Sequence, residues 1–152
     1  MAVVTDDQVA TLRAQLAGQD EEHLRLLHQL DPKSANVGYT ALVTGAFFEA
    51  VQRHFVKDGK PADDAEIIDF VTSVRLRLEE EEGKLDPNAA EIMIKIALGK
   101  LPGEARKNIS GDVGHGTQIL LLAGLIGDAE LTSNELDNFL VQARFIADEI
   151  HS

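Results

Sequence analysis

The chain has no cysteine among its 152 residues. That absence excludes a disulfide scaffold, a Cys-ligated zinc site and a thiol nucleophile. Positive charge is scarce: 14 Lys+Arg stand against 26 Asp+Glu, for a net charge of −12. An excess of negative charge opposes contact with DNA, RNA or anionic lipid, whose phosphates need a positive surface. Long hydrophobic runs are missing too. The longest, counting glycine, is Ile119–Gly127, about half of what a bilayer span needs. The first residues, Met-Ala-Val-Val-Thr-Asp-Asp, offer neither a basic nor a long apolar segment, so no signal peptide is expected and a cytoplasmic location is the default.

What is present points to a folded helical chain. Hydrophobic residues make up 44% of the sequence, too many for a disordered chain. A length of 152 residues suits one domain, here taken as 1–152, able to bury roughly 70% of its unfolded surface. The charge changes sign along the chain: residues 1–31 carry −4, 32–62 carry +2, 63–86 carry −6, 87–110 carry +2 and 111–152 carry −6. Neither positive stretch holds a dense basic cluster with interleaved aromatics, so nucleic acid and membrane are excluded as expected partners.

Apolar residues recur at helical spacing, and no alternating strand pattern competes with them. Thr5-Asp-Asp-Gln8 has the form of a capping box and opens a helix carrying Val9, Leu12 and Leu16. Gly18 breaks it, and Asp20-Glu-Glu starts a second helix whose Leu24, Leu27 and Leu30 continue the stripe to Asp31-Pro32. A loop then leads to a helix over roughly Tyr39–Phe55, with Val43, Phe47, Val51 and Phe55 on one face. Lys57-Asp-Gly-Lys-Pro61 reads as a turn. Asp63 caps the next helix, with Glu66 at the capping-box position and Ile67, Phe70, Val71, Val74 and Leu78 as its stripe. Asp86-Pro87 starts another, ending near Leu98 with Gly99 after it. Pro102, Gly103, Gly111, Gly114 and Gly116 mark the longest stretch expected to be irregular. Residues 117–127 are apolar on every side and predict a central helix surrounded by the others. Thr132-Ser-Asn-Glu135 caps the last helix, with Leu136, Phe139, Leu140, Ala143, Ala147 and Ile150 on one face. The expected fold is all-α, a compact single-domain bundle of six or seven helices with a buried central helix near 117–127. Residues 64–75 align without gaps on 133–144, with Glu66 on Glu135, Phe70 on Phe139 and Arg75 on Arg144. Either a duplication or two similarly patterned amphipathic helices produces that match.

Chemistry-bearing residues are few. His23 and His28 are five apart, so they do not share a helix face, and no His-Glu-x-x-His or paired Glu-x-x-His occurs. No metal site or cofactor is expected. Leu131–Glu135 resembles the end of an EF-hand loop and is similar to tellurite-resistance TerB-like helical domains. The calcium chemistry fails, because Gly124 and Ile126 stand where carboxylates are required, and neither likeness carries a function. Gly111-x-x-x-x-Gly116-Thr117 has phosphate-loop spacing without the required lysine.

Two functional expectations follow. The first is an acidic protein-binding or regulatory module, inhibitor-like or immunity-like, with no catalysis evident. Its acidic face would comprise Asp63, Asp64, Glu79, Glu80, Glu81 and Glu82 and would meet another protein with a basic face; a homo-oligomer stays open. The alternative is a small-ligand or anion-binding domain, with or without catalysis, at the Gly-rich loop 111–117 through Asp112, Gly114, His115, Gly116 and Thr117.

Overall fold

The computed structural model describes residues 4–30, 35–79 and 85–150. It is all-α, with seven α-helices among the described residues: α1 Asp6–Leu16, α2 Asp20–Gln29, α3 Thr40–Phe55, α4 Asp64–Glu79, α5 Pro87–Ala97, α6 Gly111–Ala129 and α7 Ser133–Ile150. A π-helical segment, Ala35–Tyr39, leads into α3, and a 3-10 turn, Gly103–Arg106, lies between α5 and α6. The helices fall into two compact units, Met1–Glu49 with Ile126–Ser152 and Ala50–Leu125. The division passes through α3 and α6, so each of these helices contributes to both units.

In the first unit the capping box at α1 is formed as its sequence predicts. Gln8 N donates to Thr5 Oγ1 at 3.2 Å, and Thr5 N donates to Gln8 Oε1 at 3.0 Å. Gly18, at φ 76°, ends α1 where a Cβ would be strained; its N–H donates to the Gln15 carbonyl and that of Gln19 to the Ala14 carbonyl. His23 Nδ1 lies 2.8 Å from the Thr11 carbonyl oxygen and ties α2 to α1. Two arginines join α1 to α7. Arg13 Nε donates to Asp137 Oδ1 at 2.6 Å and its Nη2 to Ser133 Oγ at 2.7 Å. Arg144 reaches Asp6 Oδ1 at 2.6 Å and the Val4 carbonyl at 2.8 Å. Such exposed pairs are worth at most about 1 kcal/mol each, so they set register more than stability. The stability comes from burial: Val43 and Phe47 on α3, and Leu136, Phe139, Leu140, Ala143 and Ala147 on α7, are all inside.

The stripe read into α2 is not a core stripe. No residue of α2 is buried, and Leu24 and Leu27 are exposed. The physical reason is helix length: α2 ends at Gln29 and Leu30 is already extended, at ψ 140°, so Leu24 and Leu27 stand without the third leucine of the stripe.

In the second unit Lys57–Pro61 is tighter than a plain turn. Val56–Lys57 and Lys60–Pro61 pair antiparallel, with Asp58 and Gly59 both at positive φ between them. Asp-Gly is the pairing that a two-residue hairpin favours, and this short ribbon is the strand content absent from the sequence reading. Phe55 meets Phe70 edge-on at a ring-centroid distance of 5.4 Å. Ile67, Phe70, Val71 and Val74 of α4 are buried as their spacing predicts. Asp86 caps α5 through bonds from Asn88 N at 3.0 Å and Ala89 N at 3.2 Å. Met93 and Ile94 of α5 are buried, while Ile92, Ile96 and Leu98 are only half-buried.

Residues 111–117 correct the sequence reading: they are not a loop but the first two turns of α6. The Ser110 hydroxyl accepts from Val113 N at 3.2 Å, and the Ser110 carbonyl accepts from Gly114 N at 2.9 Å, so helix amides that a loop would have left open are already used. Each internal glycine costs about 1 kcal/mol against alanine. At Gly114 the exchange has a structural return, since a Cβ there would stand 2.9 Å from the Arg106 guanidinium. Farther along, Thr117, Gln118, Leu121, Leu122, Leu125 and Ile126 are buried. This is the buried helix that the apolar run predicts, although Ala123 and Gly127 reach the surface.

Candidate functional site

The residues of the expected loop site sit on successive turns at the start of α6. Asp112 is exposed, Gly114 is buried against Arg106, and Thr117 is buried at 4% exposure. His115 is half-buried, and its Nδ1 is enclosed without a hydrogen-bond partner among the described residues. Burial pulls the His115 imidazole below its ordinary pKa, against the Asp112 carboxylate, which works the other way. A cleft of about 410 Å³ opens beside this helix start, lined by Leu85, Asp86, Asp112, Val113, Gly116, Thr117 and Leu120. The structure therefore brings together Asp112, Gly116 and Thr117, but His115 and Gly114 do not line the cleft. It adds Asp86, which the sequence shows only as a helix cap. Two carboxylates on the walls repel an anion, so the sign of this cleft is opposite to the one an anion site needs.

The expected acidic face is only partly within the described residues. Asp63 accepts from Glu66 N at 2.9 Å and so serves as the α4 cap. Asp64 faces Lys100 Nζ at 3.3 Å and Lys95 Nζ at 3.9 Å. Glu79 is the last residue of α4, about 22 Å along the helix axis from Asp64. Glu80, Glu81 and Glu82 lie outside the described residues. Of the acidic residues described with their side chains, one is engaged by a backbone amide and the other by two lysines.

A different surface was missed in the sequence. On α7, Val141 is 64% exposed and Phe145, one turn on, is 59% exposed. They lie off the face that carries Leu136, Phe139, Leu140, Ala143 and Ala147. The signal was there: a valine and a phenylalanine four apart on the polar side of an amphipathic helix. The helix that presents them is acidic, with Glu135, Asp137, Asp148 and Glu149 against Arg144, a balance of −3.

Among the described residues no group of three or more His, Asp or Glu side chains could hold a metal ion. None of the described helices is long and apolar enough to cross a membrane. No protein-family model matches the chain, and no curated protein or solved structure matches it either.

Proposed function

We propose that this chain is an acidic protein-binding module that engages a basic partner protein through the outer face of α7. The observation that carries this reading is the exposed Val141–Phe145 pair on a helix of net negative charge. An exposed phenylalanine beside a second apolar side chain is the kind of anchor that protein interfaces bury. The charge supports the sign of the partner, because like-charged proteins are held apart and a basic one is drawn in. The arginines of this unit add little positive field, since Arg13, Arg25 and Arg144 each face a carboxylate.

The test is affinity capture on the immobilised chain from the native cell at about 0.05 M and about 0.5 M salt, where the Debye length falls severalfold. A basic partner that is held at low salt, released at high salt and lost with Phe145→Ala supports the proposal. Salt-insensitive capture, or capture unchanged by Phe145→Ala, contradicts it. A second reading retains a small-ligand site at Asp112, Gly116 and Thr117. The cleft supports it, with a cationic rather than an anionic ligand.

A further inference from the structure

The cleft beside the α6 start combines a shape, a sign and an unused polar atom. Its volume of about 410 Å³ falls in the range of about 300–1,000 Å³ that ligand sites occupy. Leu85, Val113 and Leu120 supply apolar wall, and Asp86 and Asp112 supply carboxylates. No lysine, arginine or histidine is among the described residues that line it. Asp86 Oδ1 accepts from the amides of Asn88 and Ala89, which leaves Oδ2 for another donor. Asp112 has no lysine or arginine partner among the described residues.

The independent observation is Thr117. The residue is 4% exposed, and it lines this cleft. Its hydroxyl makes no hydrogen bond among the described residues. On a residue this enclosed, a hydroxyl that is neither paired nor sealed from solvent is free to bond to what enters the cleft. An anion is repelled by the two carboxylates. A purely apolar ligand leaves Thr117 unmatched. A metal ion lacks a third His, Asp or Glu ligand among the described residues.

We infer that the cleft is a socket for a protonated nitrogen on an apolar stem, an alkylammonium or guanidinium group. Its N–H groups donate to the Asp86 and Asp112 carboxylates and to Thr117 Oγ1, and its methylenes lie along Leu85, Val113 and Leu120. One chemistry serves two carriers: a lysine or arginine side chain of a protein, or a free amine.

The experiment is a backbone-amide NMR titration of the full chain with three probes: hexylammonium chloride, sodium hexanoate and an alanine-rich octapeptide with one central lysine. The expected result is saturable shifts from hexylammonium at Leu85, Val113, Thr117 and Leu120, with none from hexanoate. Asp112→Asn and Asp86→Asn should each weaken hexylammonium severalfold; asparagine keeps the α5 cap. Thr117→Val, which keeps the shape and removes the hydroxyl, should weaken it as well. Shifts from the peptide at the same residues assign the socket to a protein side chain; shifts from hexylammonium alone assign it to a free amine. Equal binding of hexanoate, or hexylammonium shifts confined to residues outside the cleft, overturns the inference. Phe145-dependent capture of a basic protein alongside a silent cleft would leave the proposed function standing and remove the socket. A responding cleft without such capture would do the reverse.

Discussion

Helices α4 and α7 begin one residue after an oxygen-bearing cap, Asp63 and Thr132, and bury corresponding positions. Ile67, Phe70, Val71 and Val74 are inside in one; Leu136, Phe139, Leu140 and Ala143 are inside in the other. The alignment seen in the sequence is thus an alignment of buried faces. The two helices part at the last of these positions. Val74 presents a branched side chain to Gly124 of α6, where an added Cβ would lie 3.0 Å from Val74 Cγ2. Ala143 and Ala147 present backbone to Gly45 of α3, where an added Cβ would overlap the Ala143 carbonyl oxygen and lie 3.0 Å from the Ala147 amide nitrogen. One pattern therefore supports two depths of helix contact, and the small residues decide which. The outer faces part as well. Phe145 and Leu76 occupy equivalent positions and are both 59% exposed. One turn earlier α7 has Val141, whereas α4 has Thr72. Only in α7 do two neighbouring apolar side chains form a continuous strip.

The largest expected effect tests that difference in depth. Gly45→Ala should cost about 3 kcal/mol, because backbone cannot step aside as a side chain can. Gly124→Ala should cost no more than about 1 kcal/mol, since Val74 can shift and alanine favours the helix. Urea unfolding of both variants measures the gap, and equal costs would erase the distinction. Next in size, Val74→Ala should cost about 2 kcal/mol by opening space. Adding Gly124→Ala to it should refill part of that space, so the pair should cost less than the sum of the two. The caps come third. Thr132→Ala and Asp63→Ala should each cost about 1 kcal/mol. Thr132→Ala loses the bond from Glu135 N to Oγ1 and keeps the backbone bond from residue 132 N to Glu135 Oε1, so the two caps should cost alike.

The pH edges run in opposite directions in the two units. Tyr39, in the first unit, is pushed up to about 12 by burial. A raised native pKa means that its contribution is complete below about 10, the ordinary value, and is lost as pH rises through about 12. As the only tyrosine in the chain, it can be followed by tyrosinate absorbance; a midpoint near 10 would contradict its burial. His115, in the second unit, is held below its ordinary 6.5 by burial. Its contribution is complete above 6.5 and fades as pH falls through the lowered native value, because the unfolded chain binds the proton first. The urea midpoint should fall between pH 8 and pH 5 more in the wild type than in His115→Gln.

The helices were legible because periodic apolar residues and local caps are short-range signals. Thr5, Asp63, Asp86 and Thr132 each cap the helix that their sequence context predicts. Residues 111–117 were misread because glycine raises the cost of a helix without forbidding it. The bond from Val113 N to Ser110 caps this helix start, and Arg106, a partner brought in by the fold, packs against Gly114. The cleft was half legible. Asp112 and Thr117 stand out as polar residues at a helix start, but Asp86 and Leu85 reach them only through packing. Val141 and Phe145 are visible in the sequence as two apolar residues four apart off the main stripe of α7, but periodicity alone does not tell an exposed pair from the widened edge of a buried face.

The most direct test sets the outer faces of α7 and α4 against each other. Capture of a basic protein at about 0.05 M salt should fall at least about tenfold with Phe145→Ala, as for a hot-spot residue, and should be nearly unchanged with Leu76→Ala. Equal losses, or none in either variant, would contradict the view that α7 presents the binding face.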